Sequence, residues 1–128
     1  MILDTEGLKP IYLQIAEWIE EEILHGNLDV DDKVYSQYKL ADMYTINPAT
    51  AAKGLKMLAD EGILYDRRGL GKFVASDAKT IILEKRKDES IDQLMESLVK
   101  QAVWLGMSEE ELLQRVKKVW RERTNENR

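Results

Sequence analysis

Residues 36–75 read SQYKLADMYTINPATAAKGLKMLADEGILYDRRGLGKFVA, with two helix starts, a helix stop and a glycine-tipped hairpin in close succession. Ser36 is an N-cap residue ahead of Leu40, Ala41 and Met43, which predicts a short helix with those three side chains inward, ending near Tyr44 and Thr45. Three residues later Asn47-Pro48 pairs a capping side chain with a proline whose fixed φ suits the first helical position. The helix opened there is expected to reach about Glu61, where Gly62 stops it. Its inner face is Ala51, Gly54, Leu55 and Leu58, spaced i, i+3, i+4, i+7. A glycine inside a helix costs about 1 kcal/mol relative to alanine, so Gly54 marks a place where another helix packs close. Two helices joined by so short a turn form a helix-turn-helix. Ile63-Leu64-Tyr65 and Lys72-Phe73-Val74-Ala75 then read as two short strands. They are joined through Asp66-Arg67-Arg68-Gly69-Leu70-Gly71, a wing with arginines and glycines at its tip.

Upstream, Ile11, Ile15, Ile19 and Ile23 recur every fourth residue, widened by Tyr12, Trp18 and Leu24, which predicts an amphipathic helix from Pro10 to His25. Pro10 fits its first turn, and Gly26-Asn27 fits its end, so Gly26 to Lys33 reads as a polar turn. The lone histidine, His25, is expected to compensate the helix dipole. Downstream, Ile81, Ile82, Ile91, Leu94, Met95, Leu98, Ala102 and Leu105 keep helical spacing, interrupted by a charged stretch from Glu84 to Ser90 where the helix is exposed or broken. Gly106 ends it. Ser108 with Glu111 forms a capping box for a last amphipathic helix carrying Leu112, Leu113, Val116, Val119 and Trp120; residues from Thr124 on are expected to fray. The fold class is thus mainly α with a small β-hairpin. A winged helix-turn-helix spans residues 1–76 and a two-helix dimerisation tail spans 77–128.

The 128 residues are 44% hydrophobic and 34% charged, enough for a folded domain with an appendage and too small for a large enzyme. With no cysteine and a single histidine, thiolate metal sites, disulfides and cysteine nucleophiles are excluded. No metal site, cofactor or catalytic centre is expected. Acids occur as runs, Glu20-Glu21-Glu22 and Glu109-Glu110-Glu111, typical of solvated helix faces. The longest apolar run, Ala102 to Leu105, is far short of the ~20 residues that span a bilayer. MILDTEGLKP carries acids where a signal peptide carries bases, so a cytoplasmic protein without membrane partners is expected. The net charge of −5 is unevenly spread. Residues 1–32 hold one base and nine acids, residues 33–80 eight bases and five acids, and the remainder ten of each. The middle third is where an anionic partner docks.

A helix-turn-helix with a wing places its second helix in the major groove and the wing along the backbone or in the minor groove. Opposite the inner stripe of that helix stand Ala49, Thr50, Lys53 and Met57, with Lys56 at the side. Thr50 suits a base edge or phosphate, Ala49 a thymine methyl, and Lys53 and Lys56 phosphates. The helix N-terminus at Asn47 to Ala49 suits a phosphate as well. A protein-docking winged helix without specific DNA binding is the alternative, since alanines occupy much of this helix. The three bases Arg67, Arg68 and Lys72 around Gly69 and Gly71 favour DNA. Trp104 and Trp120 read as core or interface packing.

In their order along the chain, Pro-Ile-Tyr-x-Gln-Ile at the first helix, Ile-Leu-x-Gly at its end, Leu-Ala near the turn, Leu58-Ala59-Asp60-Glu61-Gly62-Ile63, and Arg-Gly-x-Gly-x-Phe-Val in the wing resemble the winged-helix domain of GntR-family bacterial transcription regulators, over about Leu8 to Ala75. The Asn47-Pro48-x-Thr50 start and the short tail resemble the YtrA-like subfamily. The resemblance implies a homodimeric repressor of an ABC-transporter operon that includes its own gene, acting on a palindromic operator. Its implied DNA contacts are Ser36, Tyr38, Asn47, Ala49, Thr50, Lys53, Arg67, Arg68, Gly69, Gly71 and Lys72. Tyr38 and Ala52 stand where members of the family commonly have arginine. In the tail, Ile91, Leu94, Leu98, Leu105, Val116, Val119 and Trp120 need a partner surface, best supplied by a second copy of the chain. Two such copies present recognition helices to half-sites about 34–36 Å apart. No small-molecule effector can be named from these residues.

Overall fold

The computed structural model describes residues 3–126, the side chain of Glu126 excepted. The elements are α1 (Ile11–Leu24), α2 (Gln37–Tyr44), α3 (Pro48–Asp60), β1 (Leu64–Arg67), β2 (Gly71–Val74), α4 (Ala78–Arg86), a π-helical turn (Lys87–Ile91), α5 (Asp92–Trp104) and α6 (Glu109–Glu126). They form two compact units, Met1–Lys85 and Arg86–Arg128.

In the first unit the caps sit where the capping residues predict. Ser36 Oγ accepts from the Lys39 amide at 3.1 Å, and Asn47 Oδ1 from the Ala49 amide at 2.8 Å. Ile15, Ile19 and Ile23 of α1, Leu40 of α2, Ala51, Leu55 and Leu58 of α3, and Leu64 and Val74 of the hairpin form one buried core. At Gly62, φ is +81°, a left-handed end that turns the chain from α3 into the hairpin. Ile63 is fully buried behind it. The hairpin is antiparallel, with Leu64 opposite Val74, Tyr65 opposite Phe73, Asp66 opposite Lys72 and Arg67 opposite Gly71.

Several expectations are corrected. Met43 is exposed, because the inward stripe of the short α2 is Leu40, Ala41 and Tyr44, one helical step round from Met43. Met57, expected outward, packs partly buried against the core. Residues 31–33, read as the end of a polar turn, pair together with Val34 along the outer edge of β2. The Asp31 amide donates to the Val74 carbonyl at 2.8 Å, Val74 to Asp32 at 3.0 Å and Val34 to Lys72 at 2.9 Å. The wing therefore has a third backbone segment. Ala78 and Ile82 of α4 join this core, and Lys85 is held by two carboxylates.

In the second unit the end of the charged stretch stays helical. It is accommodated as the π-helical turn, whose residues are exposed. Of the capping box, the Ser108 half is present, its Oγ accepting from the Glu111 amide at 3.1 Å, while the Glu111 carboxylate pairs with Arg115 at 3.2 Å. The helix continues beyond Thr124, whose hydroxyl donates to the Trp120 carbonyl at 2.9 Å, so fraying from that residue is corrected as far as Glu126. Residues 127 and 128 lie outside the described residues. From Arg86 onward Ala102 is the sole buried residue among those described. Leu98 and Ala102 of α5, Leu105 just past its end, and Leu112, Val116 and Trp120 of α6 line an open apolar groove of about 610 Å³.

Candidate nucleic-acid interface

Helix α3 owes its position to α1. A Cβ on Gly54 would stand 2.7 Å from the Tyr12 carbonyl oxygen, so only glycine allows this approach of the two helices. With Ala51, Gly54, Leu55 and Leu58 buried against the core, Ala49, Lys53 and Lys56 are left at the surface and Thr50 half-buried. Asn47, at the helix start, is exposed. Lys53 Nζ lies over the Tyr12 ring, 4.1 Å from its centroid, which keeps its charge beside α1. Lys56 pairs with Asp60 at 2.8 Å, and that bond holds its ammonium above the usual lysine range.

Ser36 and Tyr38 are exposed at the start of α2, Tyr38 at 70%. The neighbouring aromatic side chains are used internally. Trp18 stacks on Tyr35, with ring centroids 5.9 Å apart, and meets Tyr44 edge-on at 5.7 Å. The Tyr44 hydroxyl is pushed above the usual phenol range by burial, reinforced by Tyr35 and Glu22.

At the wing, Arg68, Gly69, Leu70 and Gly71 are exposed, and Arg68 has no ion-pair or hydrogen-bond partner among the described residues. Gly71 has φ +110°, and a Cβ there would lie 3.2 Å from Lys33 Cε. Lys72 is held by Asp66 at 2.6 Å. Arg67 is also engaged: its Nη2 donates to the Tyr65 hydroxyl at 2.8 Å. The hydroxyl donates in turn to Asp31 at 2.6 Å, a bond that raises the Tyr65 pKa, with burial adding to it. Sequence reasoning missed Lys33, exposed next to Gly71, because the polar run Asp31-Asp32-Lys33 lacks the alternation that marks a strand.

Behind the interface, Lys85 of α4 bridges Glu20 of α1 and the Glu61 carboxylate at the end of α3, the latter at 2.8 Å. Burial disfavours the Lys85 charge, but bonding to Glu20 and Glu61 outweighs it and raises its pKa.

Among the described residues no group of His, Cys, Asp or Glu is arranged to hold a metal, and no helix is long and apolar enough to cross a membrane. The arrangement can present one helix face and a cationic hairpin tip to a groove and its phosphates.

Comparison with known proteins agrees with this geometry. Residues 11–74 match the family of bacterial regulatory proteins of the gntR type. Over 112 residues the chain is 36% identical to the uncharacterised HTH-type transcriptional regulator YhcF of Bacillus subtilis, covering 88% of this chain and 91% of that protein. Over 117 residues it is 32% identical to the HTH-type transcriptional repressor YtrA of the same organism, covering 91% and 89%. The solved structure of a GntR-family regulator from Bacteroides thetaiotaomicron superposes with a TM-score of 0.73 at 30% identity, covering 88% of this chain and 98% of that one. The DNA-binding domain of AraR, solved in complex with operator ORX1, superposes with a TM-score of 0.53 at 27% identity, covering 59% of this chain and 93% of that one. These relatives are transcription regulators and not enzymes.

Proposed function

The chain belongs to the GntR family of bacterial regulatory proteins, and from that premise we propose that it is a homodimeric, sequence-specific DNA-binding repressor. One observation carries this reading. α3 turns Ala49 and Lys53 to the surface while Ala51, Leu55 and Leu58 fix its other side in the core, and the wing that follows exposes Arg68 to Gly71. Asn47, Ala49, Thr50 and Lys53 enter the major groove, with Lys56 at its edge. Ser36 and Tyr38 meet the backbone from α2, and Arg68, Gly69, Gly71 and Lys72 follow it from the wing. The likeness to YtrA supports repression, and the subfamily resemblance supports an ABC-transporter operon that includes the protein's own gene as the target. The place of action is then the cytoplasm.

The tail supports the dimer. A helical hairpin with Ala102 as its buried residue and Leu98, Val116 and Trp120 around an open groove buries too little apolar surface to stand alone. A second copy, joined about a two-fold axis through Ile91, Leu94, Leu98, Leu105, Val116, Val119 and Trp120, covers it and duplicates the recognition helix. DNase footprinting on DNA upstream of the protein's own gene tests the proposal. The expected result is protection of two inverted half-sites about one helical turn, or a multiple of it, apart. Absence of protection under conditions where the protein is folded and dimeric would favour the protein-docking alternative.

A further inference from the structure

The face of the wing turned away from the core holds more structure than a charged hairpin needs. In the β1–β2 register Tyr65 stands opposite Phe73, and Arg67 stands opposite Gly71. Alternation places Tyr65, Arg67 and Phe73 on one face, while Leu64 and Val74 fill the core from the other. Phe73, the chain's one phenylalanine, lies on that outer face and is nevertheless only 8% exposed. Its cover comes from Tyr65, stacked at 5.9 Å, and from Arg67, whose guanidinium carbon is 4.3 Å from the ring centroid. Glycine opposite Arg67 leaves that side of the ladder without a competing side chain. The Tyr65 hydroxyl, accepting from Arg67, reaches Asp31 beyond β2. One chain of side chains thus ties β1, β2 and the Asp31–Val34 segment together.

We propose that Arg67 is a positioning residue of the wing and not a DNA ligand. Its planar cation, stacked on Phe73 and bonded to Tyr65, fixes the hairpin so that the tip from Arg68 to Gly71 meets the duplex in one conformation. This role rests on the DNA-binding reading for its purpose, and on the three side chains for its geometry. A lysine at the position keeps the charge but has no plane to stack and no fork to bond Tyr65.

The test uses the full chain and a fluorescent duplex selected by the protein from randomised DNA, titrated by anisotropy at several salt concentrations. Arg67→Lys and Tyr65→Phe should each weaken binding about fivefold, with no further loss in the double variant, because both break one unit. The slope of log affinity against log salt should stay as in the parent. Arg68→Gln, by contrast, should lower that slope by about 0.9, the signature of one lost phosphate contact. Full binding by Arg67→Lys together with a slope reduced by about 0.9 in Arg67→Gln would make Arg67 a phosphate ligand and overturn the proposal. Hydrogen exchange of residues 64–74 in the free protein supplies a readout without DNA. Exchange should be about tenfold faster in Arg67→Lys and Tyr65→Phe and unchanged in Arg68→Gln. Parent-like exchange in both clamp variants would refute the positioning role. A parent protein that binds no duplex would instead remove the DNA reading and leave the exchange result to decide the role of Arg67 in the hairpin.

Discussion

Gly54 and the carbonyl oxygen of Tyr12 are so placed that a Cβ on residue 54 would come within 2.7 Å of that oxygen. The preceding residue, Lys53, lies over the Tyr12 ring, so the contact that seats the recognition helix also sets the place of one of its cations. Gly54→Ala gains about 1 kcal/mol of helix propensity, but the obstacle is backbone and forces α1 and α3 apart. The expected net loss is about 1–3 kcal/mol, read as a lower urea midpoint. A midpoint at or above that of the parent would show that the helices can separate without loss.

Lys85 neutralises Glu20, which is 1% exposed, and Glu61. Lys85→Met leaves the Glu20 carboxylate without that cation and should destabilise by roughly 2–4 kcal/mol, with the double variant Lys85→Met, Glu20→Met recovering most of it. The pKa of Lys85 is raised in the folded state, so its contribution is complete below the ordinary lysine value of 10.5 and is lost as pH rises through the folded value. The stability gap between parent and Lys85→Met should therefore be constant from neutral to mildly alkaline pH and close at strongly alkaline pH. A gap that widens with alkalinity would contradict the pairing.

Thr45 ends α2 in the left-handed region, φ 53° and ψ 54°, where a β-branched residue is strained. Thr45→Gly should raise stability by about 0.5–1 kcal/mol. A lower melting temperature in calorimetry would mean that the threonine side chain contributes more than its backbone strain removes.

Much of the winged unit was legible because its signals are local. Ser36 and Asn47 bond amides two or three residues away, and Gly62 turns the chain where it stands. The long-range pairings were not legible. Asp31 to Val34 gain strand character only from β2, and no periodicity in that run announces it. Glu20 looked like one acid in a solvated run, and only the return of α4 buries it beside Lys85. The candidate interface divides in the same way. That its residues reach the surface follows from the period of α3 and from the hairpin, whereas the partners of Arg67, Lys72 and Lys53 depend on packing across strands and helices.

Trp120 is 70% exposed in the single chain and borders the apolar groove of the tail. Trp120→Asp should dissociate the proposed dimer, since a charge in an apolar interface loses its hydration without a partner. Sedimentation equilibrium should find the monomer mass for the variant and the dimer mass for the parent. Two dimer masses would place the contact elsewhere.

The central claim is that α3 and the wing read a DNA duplex. The most direct test is an anisotropy titration of the full chain against the duplex upstream of its own gene, beside a scrambled duplex, at two salt concentrations. Binding that prefers the native duplex and falls linearly in log salt, about 0.9 per phosphate contact, is the result expected. Thr50→Ala should reduce the preference about tenfold, while Lys53→Ala and Arg68→Ala weaken both duplexes alike. Equal, weak and salt-insensitive binding to both duplexes would contradict the account.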